Sequence, residues 1–567
     1  TSLGIDYING RSRNFTPKYY ISEYQKVDEN SLSKTWTRDF TWLWENILTY
    51  DWQINDKNRL NLLGGITAQK YTNEKLGGSG RNFFSEVEDY WYLDQSSSDT
   101  RGLENNGKHE AMMSYLFRAN YALMDRYLLT ASIRADGSSK FGPDNRWGYF
   151  PSVAAGWRIS EEAFIKDNVE WLSNLKIRGS WGQIGNDKIG NDKYYALANV
   201  DPTYDAVFGG DYYSGGTVTS LYNTQIHWER SEQLDLGFDL GLFNNRLRIT
   251  TDYYKKKTTD LLYSVAVPAT SGYQTMLKNI GSIENQGYEL SIESDNLTGP
   301  FSWTTAFNIS FNRNKVLELG GEDYKEMAEG DGHIKTGSVR RLIAGEPIGV
   351  FYGYRFDGIF QNEEECKQQT SSASPIGVGL RRYKDLNGDG KVDAANDREI
   401  LGDANPKFFG GLTNTFAYKG FELNVFLQYS YGNKILNYNA MELENPTGGQ
   451  NAYADMVNRW TPENPSNIYP KATTNRAILA SDRFIEDGSY LKLKTLSLSY
   501  SFPKINMKHI QGLRLYVTGQ NLLTWTKYRG YDPEVSYRGA STLEAGEDFG
   551  GYPQSRTFMF GVKLDIK

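Results

Sequence analysis

Apolar and polar residues alternate with a period of two in segment after segment, which is the pattern of β-strands with two unlike faces. In 421–431, Phe421, Leu423, Val425, Leu427, Tyr429 and Tyr431 share one face, and Glu422, Asn424, Gln428 and Ser430 share the other. Phe301, Trp303, Phe307, Ile309 and Phe311 oppose Ser302, Thr304, Asn308 and Ser310 in the same way. Leu247, Ile249 and Tyr253 oppose Arg248, Thr250 and Asp252, and Phe558, Phe560, Val562, Leu564 and Ile566 form a final apolar stripe. The alternation predicts about sixteen strands. They fall at roughly 1–9, 36–52, 57–71, 108–123, 126–138, 149–160, 172–184 and 230–241. The remainder fall at roughly 246–262, 286–295, 301–315, 407–418, 420–433, 488–502, 511–524 and 555–566. A soluble sandwich gives the same period, but its dry core would leave so many polar inward residues without partners.

The joins between these segments alternate as well. Every second one is tight: Asn55-Asp56-Lys57, Met124-Asp125-Arg126, Phe243-Asn244-Asn245, Asn296-Leu297-Thr298-Gly299 and Tyr418-Lys419-Gly420. The others are long and rich in Gly, Asn, Ser, Asp and Tyr. Short turns on one side and long loops on the other describe an all-β fold, a transmembrane antiparallel β-barrel with its turns in the periplasm. Residues 1–567 then read as one barrel domain, with 316–406 as its longest external loop. Placing the C-terminus in the periplasm puts all five tight turns on that side, and the first strand starts there too. Passage of a solute across an outer membrane is the leading function.

Composition supports this reading and closes others. Mean hydropathy is negative, and no apolar run approaches the roughly 18 residues of a membrane helix. A barrel escapes that test because only alternate residues of each strand meet lipid. Aromatic residues make up 14%, with 40 Tyr and 13 Trp, which suits interfacial aromatic girdles. The net charge of −7 offers no basic surface for nucleic acid. The single cysteine, Cys366, excludes an internal disulfide. The start, Thr1 to Tyr7, has neither the charged nor the apolar region of a signal peptide. It reads as the middle of a strand, as if the chain were one piece of a longer protein.

One local motif carries chemistry. Asp385, Asn387 and Asp389 stand at positions 1, 3 and 5 of a calcium-type loop, followed by Gly390, the Lys391 carbonyl and Asp393 at positions 6, 7 and 9. A hard cation gathers oxygens at such alternate positions, and glycine permits the sharp turn. The usual Glu at position 12 is replaced by Asn396, with Asp397 next, so the closing ligand is open. The motif predicts a structural calcium held by Asp385, Asn387, Asp389, Lys391, Asp393 and Asp397. An Asx-rich turn without metal is the plainer alternative. No catalytic constellation is evident: His109, His227, His333 and His509 are widely separated, and no zinc spacing, nucleophile elbow or phosphate loop occurs. The chain therefore reads as a non-enzyme. Tyr212, Tyr213, Trp228, Tyr352, Tyr354, Tyr453, Trp460, Trp525 and Tyr531 lie in or beside predicted loops, where as a set they suit an amphipathic outer vestibule.

Several segments resemble the SusC-like TonB-dependent transporters of the Bacteroidetes. They include Phe484–Lys494 running into Leu496–Tyr500, then Gly519–Trp525 followed by Gly530–Glu534, and Asn279–Leu290. Arg134–Gly142 with Gly148–Trp157, and Arg178–Asn186, are similar to that family as well. So is the calcium-type loop. The resemblance implies a 22-stranded barrel filled by an N-terminal plug, a SusD-like surface lipoprotein as its lid, and energy delivered through TonB. It implies oligosaccharides, and sometimes peptides, as substrates. Plug, TonB box and about six N-terminal strands are absent from this chain, which then reads as the C-terminal barrel portion of such an importer. A passive sixteen-stranded porin and a surface adhesin are the rival readings.

Overall fold

The computed structural model describes residues 1–188, 194, 196–197, 200–218, 221–327, 338–445, 451–473, 478–502, 510–539 and 541–566. His333 and His509 lie outside the described residues. Sixteen strands form one sheet, each hydrogen-bonded to the next in sequence order. They begin with Ser2–Thr16, Ser31–Asn55, Asn58–Arg81, Gly102–Leu123, Tyr127–Ser138 and Trp147–Arg158. Leu172–Asn186, Glu229–Leu242, Leu247–Ala266, Thr275–Leu297 and Phe301–Leu319 follow. Phe408–Tyr418, Phe421–Tyr431, Tyr490–Ser501, Ile510–Thr526 and Thr557–Ile566 complete the order. Each strand expected from the alternation meets one of these. Ser2–Thr16 and Thr557–Ile566 are the two ends of the order.

The observed strands are longer than the alternation suggests. Ser31–Asn55 and Asn58–Arg81 stay in register from Ser31 opposite Arg81 down to Gln53 opposite Arg59, and the register shifts once before Asn55 opposite Asn58 at the turn. Their loop-side halves, such as Tyr71–Arg81, carry polar residues and glycines on both faces, so period two fades while the backbone ladder continues. About ten residues cross the membrane, so the remainder of a 25-residue strand stands clear of the hydrocarbon. The tight turns have the backbone a hairpin needs. Met124 and Asp125 take φ of 53° and 52°, Asn244 and Asn245 take 58° and 60°, and Lys419 and Gly420 take 47° and 90°. Consecutive left-handed residues match the twist of the flanking strands. At Asn55 the side chain instead accepts the Lys57 amide at 2.9 Å, an Asx turn.

The chain divides into two compact units. The first is Thr1–Ala155, Ser180–Glu232 and Thr259–Asn279. Its apolar centre is Phe141, Phe150, Ile226 and Trp228, flanked by Met112, Leu262 and Leu277. A β-carbon at Gly185 would stand 2.0 Å from the Phe150 ring, so the glycine of that segment is set by the close approach. In the same unit the Asn30 side chain donates to the Phe83 carbonyl at 3.1 Å and accepts the Phe83 amide at 2.7 Å, tying a loop to its strand.

The second unit is Gly156–Gly179, Gln233–Thr258 and Ile280–Lys567. Tyr418 opposes Phe421 across the turn, and Phe421 opposes Tyr500, an aromatic row consistent with a membrane girdle. Phe558, Phe560 and Val562 are 63%, 82% and 64% exposed, as the outer face of a membrane strand requires. No helix among the described residues is long and apolar enough to cross a membrane.

Candidate functional site

Three long connections of the second unit, 320–407, 432–489 and 527–556, fold together. Within the first, Tyr324–Glu326, Arg340–Ile343, Val350–Tyr354 and Arg398–Gly402 form a four-stranded sheet. In the second, Lys434–Asn437 and Ile485–Asp487 pair, and Glu547–Asp548 of the third adds alongside Lys434–Asn437. Side chains from all three share one apolar cluster: Val339 and Phe351, then Leu436, Tyr438, Met441 and Phe484, with Phe549 packed against it. Burial of that many large side chains gives the connections a core of their own.

Charged groups lock this core. The Arg340 guanidinium donates to Glu547 at 2.6 Å, and these side chains are only 2% and 3% exposed. Arg340 also donates to the Gly349 carbonyl at 2.5 Å and to the Ala545 carbonyl, and lies 4.2 Å from the Phe351 ring centroid. Buried Glu444 accepts from Arg483 at 2.9 Å and from Arg529 at 2.8 Å, and Arg529 reaches Glu486 at 2.8 Å. Arg341 is stacked between the rings of Tyr324 and Tyr352, at 4.0 and 3.8 Å. Burial, and then the hydrogen bond to Asp548, push the Tyr528 hydroxyl well above its ordinary value.

The third connection is clasped to the sheet as well. Lys492, buried in strand Tyr490–Ser501, donates to Asp532 and to Glu534, both at 2.6 Å. Lys494 reaches Glu534 at 3.0 Å, and Gln428 and Tyr490 each donate to it at 3.1 Å. Gln428 stands opposite Lys492 in the sheet, on the polar face expected to be inward. The segments Phe484–Lys494 and Gly530–Glu534, far apart in sequence, are thus the two halves of one clasp.

The calcium-type residues lie in the first connection. The Asp385 carboxylate accepts the amides of Gly388 and Gly390, both at 2.7 Å, and Asp389 accepts that of Lys391 at 2.8 Å. Gly390 takes φ of 81°, as the sharp turn requires. The Asn396 amide, and then the Lys391 ammonium at 3.1 Å, hold the Asp393 carboxyl below its usual value. Asp397 is fully buried, and its two oxygens accept the amides of Leu386 at 2.8 Å and Asp393 at 2.7 Å. Asp397 therefore staples the loop shut through its backbone. Asp385, Asn387, Asp389 and Asp393 are the right donor type for a hard cation. Among the described residues, however, no three acidic, imidazole or thiol side chains converge in a metal-binding group.

The aromatic set divides. Trp228 and Tyr354 are core residues, the first donating to the Arg146 carbonyl at 3.0 Å and the second packed on Tyr383. Trp460 donates to Gln361 at 3.0 Å, and Tyr453 packs on the shared cluster. Tyr212, Tyr213, Trp525 and Tyr531 are the exposed members. His109 rests against Thr72, and His227 against the Gln225 carbonyl with Asp260 3.8 Å away. The Arg340–Glu547 pair escaped sequence reading because its halves are 207 residues apart and neither sits in a recognisable pattern.

A β-sheet with period-two faces, tight turns at one end and folded connections at the other defines an outer-membrane barrel wall. Residues 1–522 match the family model "TonB dependent receptor-like, beta-barrel", and the chain belongs to that family. It is 39% identical over 527 residues to TonB-dependent receptor P3 of Formosa agariphila, covering 92% of this chain and 52% of that protein. It is 32% identical over 503 residues to TonB-dependent receptor SusC of Bacteroides thetaiotaomicron, covering 86% of this chain and 47% of that protein. The structure of the RagAB peptide transporter superposes with a TM-score of 0.83 at 26% identity, over 99% of this chain and 59% of that one. The chain is thus SusC-like and belongs to the bacterial outer membrane, and it spans about half the length of the curated relatives it matches.

Burial opposes ionisation of Glu534, but Lys492 and Lys494 outweigh it and hold the carboxyl at about 2, below its ordinary 4.5. A depressed folded-state value means the clasp contributes fully above pH 4.5 and is lost as pH falls toward 2. Protease cleavage within 527–556 should therefore rise across that window in the wild-type protein. In Glu534→Gln it should be raised already at neutral pH and change less on acidification, as limited proteolysis read by mass spectrometry will show.

Proposed function

We propose that this chain forms the wall and outer vestibule of a TonB-dependent nutrient importer. In this reading an N-terminal portion of the same transporter supplies a plug and the remaining strands of a 22-stranded barrel. A SusD-like lipoprotein covers the vestibule, and TonB drives release of substrate to the periplasm. The observation that carries the reading is the folded layer of three connections. A passive pore has no need of a buried ion-pair core and a clasp onto its own wall, whereas a lidded importer needs a rigid rim on which the lid can close. Catalysis has no place in the proposal.

Oligosaccharides or peptides are the proposed cargo. The family resemblance supports the first, and the likeness to the RagAB peptide transporter supports the second. Exposed Tyr531 suits both, since aromatic faces pack on sugar rings and on peptide side chains. Deleting the gene for the whole transporter should abolish growth on one of these nutrient classes, with rescue by the intact gene but not by one lacking the TonB-contacting segment. Equal rescue without that segment would favour a porin, and unchanged growth and uptake on both classes would favour an adhesin.

Calcium is proposed as a structural ion of the first connection, drawn in by Asp385, Asn387, Asp389, the Lys391 carbonyl and Asp393 while Asp397 keeps its backbone role. Calcium should then slow proteolysis of 320–407, and Asp385→Ala with Asp389→Ala should remove the effect. Equal cleavage with calcium and with chelator would contradict it.

A further inference from the structure

The lipid-facing side of the first four strands ends in a basic groove that import does not require. Directly opposed residues share a face of a sheet. Leu3 opposes Trp44, Ile5 opposes Trp42 and Tyr7 opposes Phe40. Leu48 opposes Gly64 and Trp52 opposes Leu60, and Ile66 opposes Tyr115. The other face carries Thr41, Glu45, Asp51 and Asn61, so the aromatic face is the one that meets lipid. Followed toward the loop side, that same face changes character. Asn9 opposes Arg38, Arg11 opposes Trp36 and Arg13 opposes Lys34. Leu76 stands opposite Trp36, and Gly78 lies between Lys34 and Leu103.

These residues line an open groove of about 610 Å³ formed chiefly by Arg11, Arg13, Lys34, Trp36, Leu76 and Leu103. That volume is in the range of small-ligand sites. Leu93, from the connection after Arg81, forms a wall. A β-carbon at Gly78 would come 2.5 Å from its Cδ1, so the glycine is what lets Leu93 lie against the sheet there. Arg13 is paired with Glu88 and lies 5.4 Å from the Trp91 ring centroid, and Arg38 is paired with Glu74 at 3.3 Å. Lys34 lies 5.0 Å from the Tyr92 ring centroid. Among the described residues Arg11 and Lys34 have no carboxylate partner. Two cations without a carboxylate at this spot are notable in a chain of net charge −7.

Trp36 is four residues above Phe40, roughly 13 Å along the strand, which places the groove at headgroup level above the apolar band. A phosphate there would meet guanidinium and ammonium donors, and the faces of Trp36, Leu76 and Leu103 would lie along the attached sugar. We propose that this groove binds the phosphorylated sugar headgroup of an anionic glycolipid of the outer leaflet. Arg11 and Lys34 hold the phosphate, and Arg13 closes the site beside Trp91. The proposal rests on the outer-membrane location and is independent of what the barrel imports.

The test uses the full-length transporter in mild detergent, stripped of lipid and titrated with lipopolysaccharide, with dephosphorylated lipopolysaccharide and with inorganic phosphate. Native mass spectrometry and thermal midpoint are the readouts. Lipopolysaccharide should add as a bound species and raise the midpoint, and the dephosphorylated form should do so at least about tenfold more weakly, the loss of roughly one charge-assisted contact. Arg11→Gln with Lys34→Gln should match that loss while the protein keeps its folded, heat-modifiable migration. Arg13→Gln provides a second variant should the pair not fold. Equal binding by the variant, equal binding of the dephosphorylated lipid, or full competition by inorganic phosphate would overturn the proposal. So would a change in the number of copies per particle in the variant with no change in lipid, since the face would then join protein to protein.

Discussion

The buried ion pair between Arg340 and Glu547 joins residues 207 positions apart, and the organisation of the outer connections depends on it. Taking two charges out of water is costly, and the cost is offset only when geometry is good and the remaining donors are satisfied. Here they are: the guanidinium reaches two backbone carbonyls besides the carboxylate, and the Phe351 ring covers it. Removing one partner of such a pair costs about 3–5 kcal/mol, because the other charge is left buried and alone. The pair thus makes the order of the first connection conditional on the order of the third. Glu444, held by Arg483 of its own connection and by Arg529 of the third, adds the second connection to the same dependence.

Below this layer a different constraint rules. In hydrocarbon every backbone N–H and C=O must find a partner within the protein, and a sheet supplies partners from the neighbouring strand. Side chains are then free to differ by face, which is why one chain carries Trp42, Trp44 and Trp52 outward and Asp51, Asn61 and Gln428 inward. The Lys492–Asp532–Glu534 clasp is where the two regimes meet: an inward-facing strand residue, buried and charged, is satisfied by a loop. The connections above it are tied to their own strands by this clasp, and Tyr531 beside it is exposed.

Much of the sheet was legible in the sequence because period-two alternation is imposed locally by lipid on one side and water on the other. Phe421–Tyr431 and Thr557–Ile566 read clearly for that reason. The loop-side halves of Asn58–Arg81 and Thr275–Leu297 did not, since above the membrane their faces meet loops and water rather than lipid, and the alternation disappears while pairing persists. Turn chemistry was legible at Asn244 and Gly420, where left-handed backbone favours those residues. The connections were opaque. Trp228 and Tyr354 resemble ligand-facing aromatics in a string of residues and prove to be core, and nothing adjacent to Arg340 or Glu547 foretells their meeting. Position in the motif offered Asp397 as a ligand but could not show that its side chain also accepts two backbone amides from within the loop.

The claim that three connections behave as one layer is tested most directly by hydrogen–deuterium exchange on the full-length protein, wild type against Arg340→Met. If the layer is cooperative, amide protection will fall together in the described parts of 320–407, 432–489 and 527–556, while Phe408–Tyr418 and Phe421–Tyr431 keep theirs. Loss confined to the neighbourhood of residue 340, with the second and third connections fully protected, would contradict the account.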